Sequence, residues 1–281
     1  MSLPQKMQTY DDWLNEATTL LNNAGIPSAK LDAELILAHT IRQPRTYLHA
    51  HGDEILDARR NTIASARLEL RLDHTPIAYI IGHKEFYGRR FKTTPAALIP
   101  RPESETVITI LKNIIPKNLT LLPQQIHLVD VGTGTGCLGI TAKLEWPELD
   151  VTLTDIDNYA LNVARQNAKL LHADVHFLKA NLLHGLTMPI DILIANLPYV
   201  DRSWDVSPDT NAEPELALYA EDNGLALIHV LIEQAAALLP SDGHLVLESD
   251  VRQHDAIIAF AKDNGFIHRQ TDGLITHFTH R

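Results

Sequence analysis

The sequence predicts a mixed α/β protein in which a mostly parallel sheet follows a small helical bundle and a connecting β-hairpin. Strand-like and helical patterns alternate from Gln125 onward, as they do in sheets that helices cover on both faces. Apolar residues recur at helical spacing from Thr9 to about Arg71. A glycine-rich turn directly follows the first strand of the alternating region. We therefore expect a helical domain over 1–74, a hairpin linker over 75–100 and an α/β domain over 101–281.

Composition excludes several classes of protein. The chain has 281 residues, of which 45% are hydrophobic and 21% charged, values typical of a globular protein. Its net charge of −11 argues against stable binding of nucleic acid, which depends on clustered positive charge. A single cysteine cannot form an internal disulfide, and the 15 histidines lack metal-ligand spacing, so we expect no metal.

The sequence also indicates where the protein acts. Residues 1–12 lack the apolar core of a signal peptide. The longest apolar stretch, around Leu225–Leu239, contains His229, Glu233 and Gln234 and is too polar and short to span a bilayer. We expect a cytoplasmic protein that does not contact membranes, and a monomer.

The N-terminal region is predicted to be helical throughout. Thr9 and Asp12 fit a capping box, a second helix follows Pro27, and Asp53–Leu72 reads as a longer helix. The pattern fits a bundle that only packs as well as one that docks a partner.

A change of pattern between Pro76 and Pro100 predicts a β-hairpin. Its strands are expected at Ala78–Ile81 and Arg90–Thr93, with turns at Gly82 and Gly88.

The alternating region predicts a sheet that ends in an antiparallel hairpin. Strands are expected at Ile126–Val131, Val151–Asp155, Val175–Lys179, Ile190–Ala195 and His244–Glu248. Helices are expected at Asn158–Leu170, Leu225–Leu239 and Arg252–Asp263. The last two strands, Phe266–Arg269 and Leu274–Phe278, are joined by Asp272-Gly273, a hairpin signal that predicts one late antiparallel strand.

The turn after the first of these strands is a candidate cofactor site. Gly132, Gly134 and Gly136 let the backbone turn sharply and let a ligand approach the main chain. Asp155 ends the next strand, about 20 residues beyond the middle glycine, where an acid can bind the hydroxyls of a ribose.

These residues leave the cofactor open. Gly134, Gly136 and Gly139 also satisfy the dinucleotide fingerprint of a dehydrogenase. Asp130 stands where a site for S-adenosylmethionine would place an acid near the ammonium group, and it could equally accept hydrogen bonds from loop N–H groups. Cys137 is interpreted as a packing residue rather than a nucleophile.

The tetrapeptide Asn196-Leu-Pro-Tyr199 follows the fourth strand and carries the chemistry. It should lie beside the glycine turn, because ligands of open α/β sheets bind at the carboxyl ends of the strands. The Asn196 amide oxygen and the Leu197 carbonyl can accept both N–H bonds of a planar –NH2 group, which directs the nitrogen toward an electrophilic methyl. Pro198 orients the loop, and Tyr199 can stack on the planar group. A simple Asn-initiated turn is the competing interpretation.

The chain resembles the bacterial peptide-chain release factor glutamine methyltransferases over nearly its whole length. The similarity includes the segment Pro76–Gly88, the stretch Leu98-Ile-Pro-Arg-Pro-Glu-Ser-Glu105, the turn Asp130–Gly136 and the stretch Glu213-Pro-Glu-Leu-Ala-Leu218. The resemblance implies a Rossmann-like fold and methyl transfer from S-adenosylmethionine to the amide nitrogen of a glutamine, with S-adenosylhomocysteine as product.

The resemblance also implies roles for particular residues. The cofactor would contact Asp130, Gly132, Thr133, Gly134, Thr135, Gly136, Asp155, Asn181, Leu182 and Asn196. Asn196, Pro198 and Tyr199 would hold the glutamine, and Arg101 and Glu105 would brace the cleft, with pairing to each other as one option. Independently of the resemblance, the loop 200–223 lacks regular patterning and is long for a compact domain, so we expect it to close over the target, with Glu213 ordering its base. The helical domain would dock the release factor.

The chain departs from the family at several positions. Leu197 replaces the first proline of the family's Asn-Pro-Pro-Tyr, and Asn-Leu-Pro-Tyr is similar to rRNA adenine dimethyltransferases. An adenine-N6 methyltransferase that acts on rRNA or DNA is therefore the alternative. A non-catalytic adaptor that binds the cofactor is a third possibility. Asn181 and Leu182 stand where the family commonly has an acid and an aromatic residue.

Overall fold

A computed structural model describes residues 8–115, 125–188 and 190–281. The chain divides into two compact units. The first contains the residues up to Gly82 together with Ser207–Ala212, and the second contains His83–Val206 and Glu213–Arg281. Each unit has its own hydrophobic core. Within the described ranges, no helix has the length and apolar character that crossing a membrane requires.

The first unit is a small helical bundle. Its helices are α1 (Tyr10–Asn23), α2 (Ala29–Ile41), α3 (Arg45–Ala50), α4 (Ala58–Leu72) and α5 (Ile77–Ile81), and strands β1 (Gln8–Thr9) and β2 (Ile55–Leu56) pair antiparallel. The predicted capping box is confirmed: Asp12 N donates to Thr9 Oγ1 at 3.1 Å and Thr9 N donates to Asp12 Oδ2 at 3.2 Å. The helix predicted over Asp53–Leu72 begins only at Ala58, because the Asp57 side chain caps it.

The strand predicted at Ala78–Ile81 is wrong, since these residues lie in helix α5. Pro76 precedes the helix, and Gly82 ends it with a φ of 76°. Four apolar residues in a row do not distinguish a buried helix from a strand. The hairpin itself exists in the second unit, between β3 (His83–Phe86) and β4 (Arg89–Lys92).

Arg71 connects three parts of the first unit. Its side chain is only 4% exposed, and its Nε lies 2.7 Å from Asp32 Oδ2. Two further nitrogens donate to Asp209 at 3.0 and 2.8 Å. The pair with Asp209 holds the segment Ser207–Ala212 in this unit although more than a hundred residues separate it from α4.

We expect Arg71→Met to lower the free energy of unfolding of the helical unit by about 3–5 kcal/mol, because Asp32 would remain buried without its partner. Arg60→Met removes the exposed pair with Asp57 and should cost less than about 1 kcal/mol. Urea unfolding of both variants measures the difference. Equal losses would contradict the assignment of the buried pair as the stabilising one.

The second unit contains a seven-stranded sheet in the order β10-β11-β9-β8-β5-β6-β7. Its strands are β5 (His127–Val131), β6 (Asp150–Asp155), β7 (His176–Lys179), β8 (Ile192–Ala195), β9 (His244–Glu248), β10 (Phe266–Asp272) and β11 (Ile275–His280). β11 runs antiparallel to both of its neighbours, β10 and β9, and the other strand pairs of this sheet are parallel. The predicted late antiparallel strand is therefore confirmed. The two-residue turn before it is Gly273-Leu274, one residue later than predicted.

Helices cover both faces of this sheet, as predicted. They are α6 (Glu105–Ile114), α7 (Cys137–Glu145), α8 (Asn158–Leu171), α9 (Ala226–Leu238) and α10 (His254–Asp263). Alternate residues of β8 face the two cores: Leu193 packs with α9 and α10, and Ile194 packs with α6, α7 and α8. This burial on both sides explains why the strands are almost continuously apolar.

The order of the strands fixes where ligands bind. The chain runs from β5 outward through β6 to β7, and then returns to place β8 on the other side of β5. Val131 and Ala195, the last residues of β5 and β8, are paired in register. The glycine turn and the Asn196 loop therefore leave the sheet side by side, at its topological switch point.

Candidate active site

An open cleft with an empty volume of about 1120 Å³ lies at the carboxyl ends of β5, β6 and β8. It brings together most of the predicted site residues. Those that line it are Arg101, Asp130, Gly132, Thr133, Gly134, Thr135, Asp155, Asn181, Leu182, Asn196, Leu197 and Pro198. Glu105, Gly136, Tyr199 and Glu213 lie outside the lining of the cleft.

The glycine turn is shaped by close packing on one side and open space on the other. Gly132 has a φ of 67°, and a Cβ there would lie 2.9 Å from Leu197 Cδ2. Gly134 has a φ of 55°, and a Cβ there would meet nothing within 4 Å. Gly139, on α7, leaves no room for a Cβ beside Leu153. The turn thus packs closely against the sheet and leaves free space at Gly134.

Asp130 is a buried acid at the end of β5. Its Oδ2 accepts from Thr133 Oγ1 at 2.6 Å and from Gly139 N at 2.9 Å. Burial raises the pKa of this carboxyl to about 6, although both hydrogen bonds oppose the rise. No cation lies within ion-pairing distance of Asp130 among the described residues. A cationic group in the cleft would therefore gain from this carboxylate.

Asp155 ends β6 and anchors two loops. Its Oδ2 accepts from Gly134 N at 3.0 Å and its Oδ1 accepts from Asp157 N at 2.9 Å. Burial also raises the pKa of Asp155. A carboxylate has about four lone-pair sites, so it can still accept bonds from two hydroxyls of a ligand in the cleft.

Asn181 and Leu182 follow β7 at the edge of the same cleft. Leu182 is buried and has a φ of 52°, whereas Asn181 is exposed. The chain turns at Leu182, and Leu183 and Leu186 after it belong to the hydrophobic core.

The Asn196 side-chain amide is held by a hydrogen bond at its –NH2 end only, within the described residues. Its Nδ2 donates to Ser104 Oγ at 3.2 Å. Its Oδ1 is buried and has no hydrogen-bond partner among the described residues. Because a buried, unpaired oxygen is costly, this atom is the clearest sign of an absent N–H donor in the cleft.

Leu197 and Tyr199 fix the loop by their side chains. Leu197 is buried against Gly132. The Tyr199 hydroxyl donates to Glu248 Oε1 at 3.3 Å, and its carbonyl accepts from Gln253 Nε2 at 2.9 Å. Burial and the nearby Glu248 raise the pKa of Tyr199, so its hydroxyl stays protonated. Stacking of Tyr199 on a substrate stays a prediction.

The pairing suggested between Arg101 and Glu105 is wrong. Arg101 instead donates to Glu213 Oε1 at 2.5 Å, and Glu213 Oε2 accepts from Ile99 N at 3.1 Å. Glu105 accepts from Tyr87 N at 2.7 Å, at the turn of the hairpin. Arg101 precedes the 3-10 turn Pro102–Ser104, whereas Glu105 begins α6, and each reaches a different element. Glu213 is buried by these contacts.

Two residues of this site were not predicted as functional. Ser104 lies inside the stretch Leu98–Glu105, and Glu248 ends β9, next to β8. An acid at the carboxyl end of a central strand was the available signal for Glu248. Ser104 gave no signal of its own.

The sheet order and the glycine turn at its switch point are those of Rossmann-like methyltransferases. The catalytic domain of hMettl16, solved with an RNA hairpin, has the same fold: the TM-score is 0.52 at 14% identity, over 81% of this chain and 84% of that chain. The family model of the PrmC N-terminal domain matches residues 12–82, and that of the methyltransferase small domain matches residues 109–212.

The similarity to curated proteins is more specific. The release factor glutamine methyltransferase of Deinococcus radiodurans is 34% identical over 258 residues, which are 91% of each chain. The enzyme of the same name from Neisseria gonorrhoeae is 33% identical over 264 residues, covering 92% of this chain and 90% of that one. The chain belongs to the release factor glutamine methyltransferase family. This confirms the predicted family and its S-adenosylmethionine-dependent methyltransferase class, and it sets aside the dehydrogenase and the adaptor.

Proposed function

We propose that this protein transfers a methyl group from S-adenosylmethionine to the side-chain amide nitrogen of a glutamine in peptide-chain release factors. The observation that carries this proposal is Asn196, which lines the cleft and whose buried Oδ1 has no hydrogen-bond partner in the part of the chain that the structure describes. It lies on the loop that leaves the sheet beside the glycine turn. An acceptor oxygen in this position suits an –NH2 group.

The residues of the cleft fit the cofactor. When bound, S-adenosylmethionine supplies a methyl group that is already activated on a sulfonium. The open space at Gly134 would admit the ligand to the backbone, Asp155 would accept bonds from ribose hydroxyls, and Asp130 would face the ammonium group. Thr133, Thr135, Asn181 and Leu182 would complete this part of the cleft.

The chain's own task is to align the amide nitrogen that receives the methyl group. Asn196 Oδ1 and the Leu197 carbonyl would accept hydrogen bonds from the two N–H groups of the target amide, and Pro198 would orient the loop that carries them. No base would be needed before transfer, because the amide proton becomes acidic only as the new N–C bond forms. That proton would then leave to the solvent of the open cleft. Alignment of this kind can supply on the order of 7–11 kcal/mol, and the two acceptors stabilise positive charge that grows on nitrogen.

An adenine-N6 methyltransferase is the second candidate, because Leu197 gives the loop the form Asn-Leu-Pro-Tyr. The net charge of −11 and the family membership favour the protein substrate. Leu197 would contribute only its backbone carbonyl, whether the methylated group is a glutamine amide or an adenine amine. The leucine side chain therefore does not by itself change the chemistry.

We propose that the helical unit docks the release factor. In support, its helices expose large apolar side chains at Leu20, Leu31, Ile63 and Leu70. We also propose that the enzyme acts as a monomer in the cytoplasm, where translation terminates, and that it forms no stable complex with nucleic acid.

Mass spectrometry of a release factor incubated with the protein and S-adenosylmethionine tests the activity. We expect one methyl group on a single glutamine, and none when that glutamine is replaced by alanine in the substrate. A parallel reaction contains rRNA or DNA instead of release factor. Methyl transfer to nucleic acid and not to the release factor would overturn the proposal.

A further inference from the structure

Hydrogen bonds between three polar side chains connect the end of β9 to the loop that carries Asn196. Ser104 Oγ donates to Glu248 Oε2 at 2.5 Å, and Asn196 Nδ2 donates to Ser104 Oγ at 3.2 Å. Glu248 and Ser104 are 1% and 2% exposed. Ser104 lines the cleft and Glu248 does not.

The direction of these hydrogen bonds is fixed at the Glu248 end. Its two oxygens face two hydroxyl donors, those of Ser104 and Tyr199. Burial raises the pKa of Glu248, but these hydrogen bonds oppose the rise and favour the ionised carboxylate, which only accepts. The single hydroxyl proton of Ser104 is therefore used on Glu248. What remains on Ser104 Oγ is lone pairs, which can accept from Asn196 but cannot donate to it.

This polarity decides which end of the Asn196 amide faces the cleft. The two ends of an asparagine amide have almost the same shape, so packing alone does not choose between them. Ser104 can accept only from the –NH2 end, which leaves Oδ1 toward the cleft. A reversed amide would present N–H donors to the N–H bonds of the target and could not hold it.

We propose that Glu248 and Ser104 are positioning residues that orient the Asn196 amide for methyl transfer. The inference rests on the proposed function, in which Asn196 Oδ1 accepts from the target amide. Ser104 orients Asn196 directly. Glu248 acts through Ser104 and also by accepting from the Asn196 side chain itself, and both contacts select the –NH2 end of the amide. The consequence is that loss of either residue lowers kcat more than it changes KM or the affinity for S-adenosylmethionine.

The test compares Glu248→Gln, Ser104→Ala and Ser104→Thr in the full chain. Glutamine can either accept from or donate to Ser104. The fixed direction of the hydrogen bonds between Glu248, Ser104 and Asn196 is then lost, while the volume of the side chain at 248 is kept. We expect kcat with release factor to fall about 10-fold or more in Glu248→Gln and Ser104→Ala, and to be largely restored in Ser104→Thr. Calorimetry should find the affinity for S-adenosylmethionine within about twofold of wild type.

The control is Ser249→Ala. Ser249 is the next residue after Glu248, it is fully buried, and its hydroxyl has no partner among the described residues. Ser249→Ala removes the same hydroxyl group as Ser104→Ala and leaves the hydrogen bonds of Glu248, Ser104 and Asn196 in place, so the kcat of this variant should match that of wild type.

A second measurement does not depend on turnover. The side-chain NH2 signal of Asn196, assigned by its absence in Asn196→Asp, should exchange with solvent faster in Ser104→Ala than in wild type. Unchanged kcat and unchanged exchange in both disrupting variants would overturn the inference, and so would equal losses of kcat and cofactor affinity. If wild type methylated no release factor, the proposed function would fail, and the exchange measurement would still decide the orientation of Asn196.

Discussion

Replacing Asn196 by alanine is expected to lower the rate of methyl transfer by about 10²-fold or more, the loss typical of a removed transition-state partner. The buried Oδ1 of Asn196 has no hydrogen-bond partner among the residues that the structure covers, and alanine offers no atom in its place. The Leu197 carbonyl would remain, so the target could still bind but would be poorly aligned. Affinity for S-adenosylmethionine should change little, because Asp130 and Asp155 are untouched.

Steady-state rates with release factor and calorimetry with the cofactor measure the two quantities separately. Asn264→Ala is a matched control, since Asn264 caps the end of α10 and does not line the cleft. Full activity of Asn196→Ala would contradict the mechanism. A parallel loss of cofactor affinity would show that Asn196 serves the cofactor instead.

Asp130→Asn is expected to weaken binding of S-adenosylmethionine by 10-fold or more while raising the melting temperature of the free protein. Both hydrogen bonds to Asp130 end on Oδ2, so the amide oxygen of asparagine can keep them. Only the charge is removed. The rise in pKa from 3.8 to about 6 corresponds to roughly 3 kcal/mol, at 1.36 kcal/mol for each pH unit.

The sign of the pH dependence follows from this raised pKa. Below pH 3.8 the carboxyl is protonated in both the folded and the unfolded chain, and the two proteins should be equally stable. The penalty on wild type develops as pH rises from 3.8 and is complete above about pH 6. The advantage of Asp130→Asn should therefore grow over this range. Wild type should lose cofactor affinity as pH falls below about 6, whereas the variant should not.

Differential scanning calorimetry and cofactor titration at several pH values check both expectations. Asp174→Asn removes the same charge at an exposed position and controls for net charge. A lower melting temperature for Asp130→Asn at pH 7 would show that the ionised carboxylate stabilises the fold, contrary to the effect of its burial.

The site residues that lie at the ends of strands could be predicted from the sequence. Asp130, Gly134, Asp155 and Asn196 each lie in or just after a strand, and the parallel order of the sheet then brings them together. Leu197 was also predictable as part of that loop. Its packing against Gly132 was not, because nothing in a one-dimensional pattern pairs those two side chains.

The remaining features depend on contacts between distant residues. Arg101 reaches Glu213 across 112 residues, and Ser104 reaches Glu248 across 144. Neither partner is marked by spacing, so the sequence favours the nearer Glu105 as the partner of Arg101. The strand prediction at Ala78–Ile81 is wrong for a different reason. So short an apolar run shows no periodicity, and Pro76 and Gly82 decide its conformation.

The segment Ser207–Ala212 has a consequence for any attempt at dissection. It belongs to the helical unit, yet residues of the methyltransferase unit flank it on both sides. A fragment that begins at His83 would retain Asp209 and lack Arg71, leaving a severed insertion in the middle of the catalytic half. A clean separation of the two halves therefore needs two edits, a cut after Gly82 and a short bridge in place of 207–212.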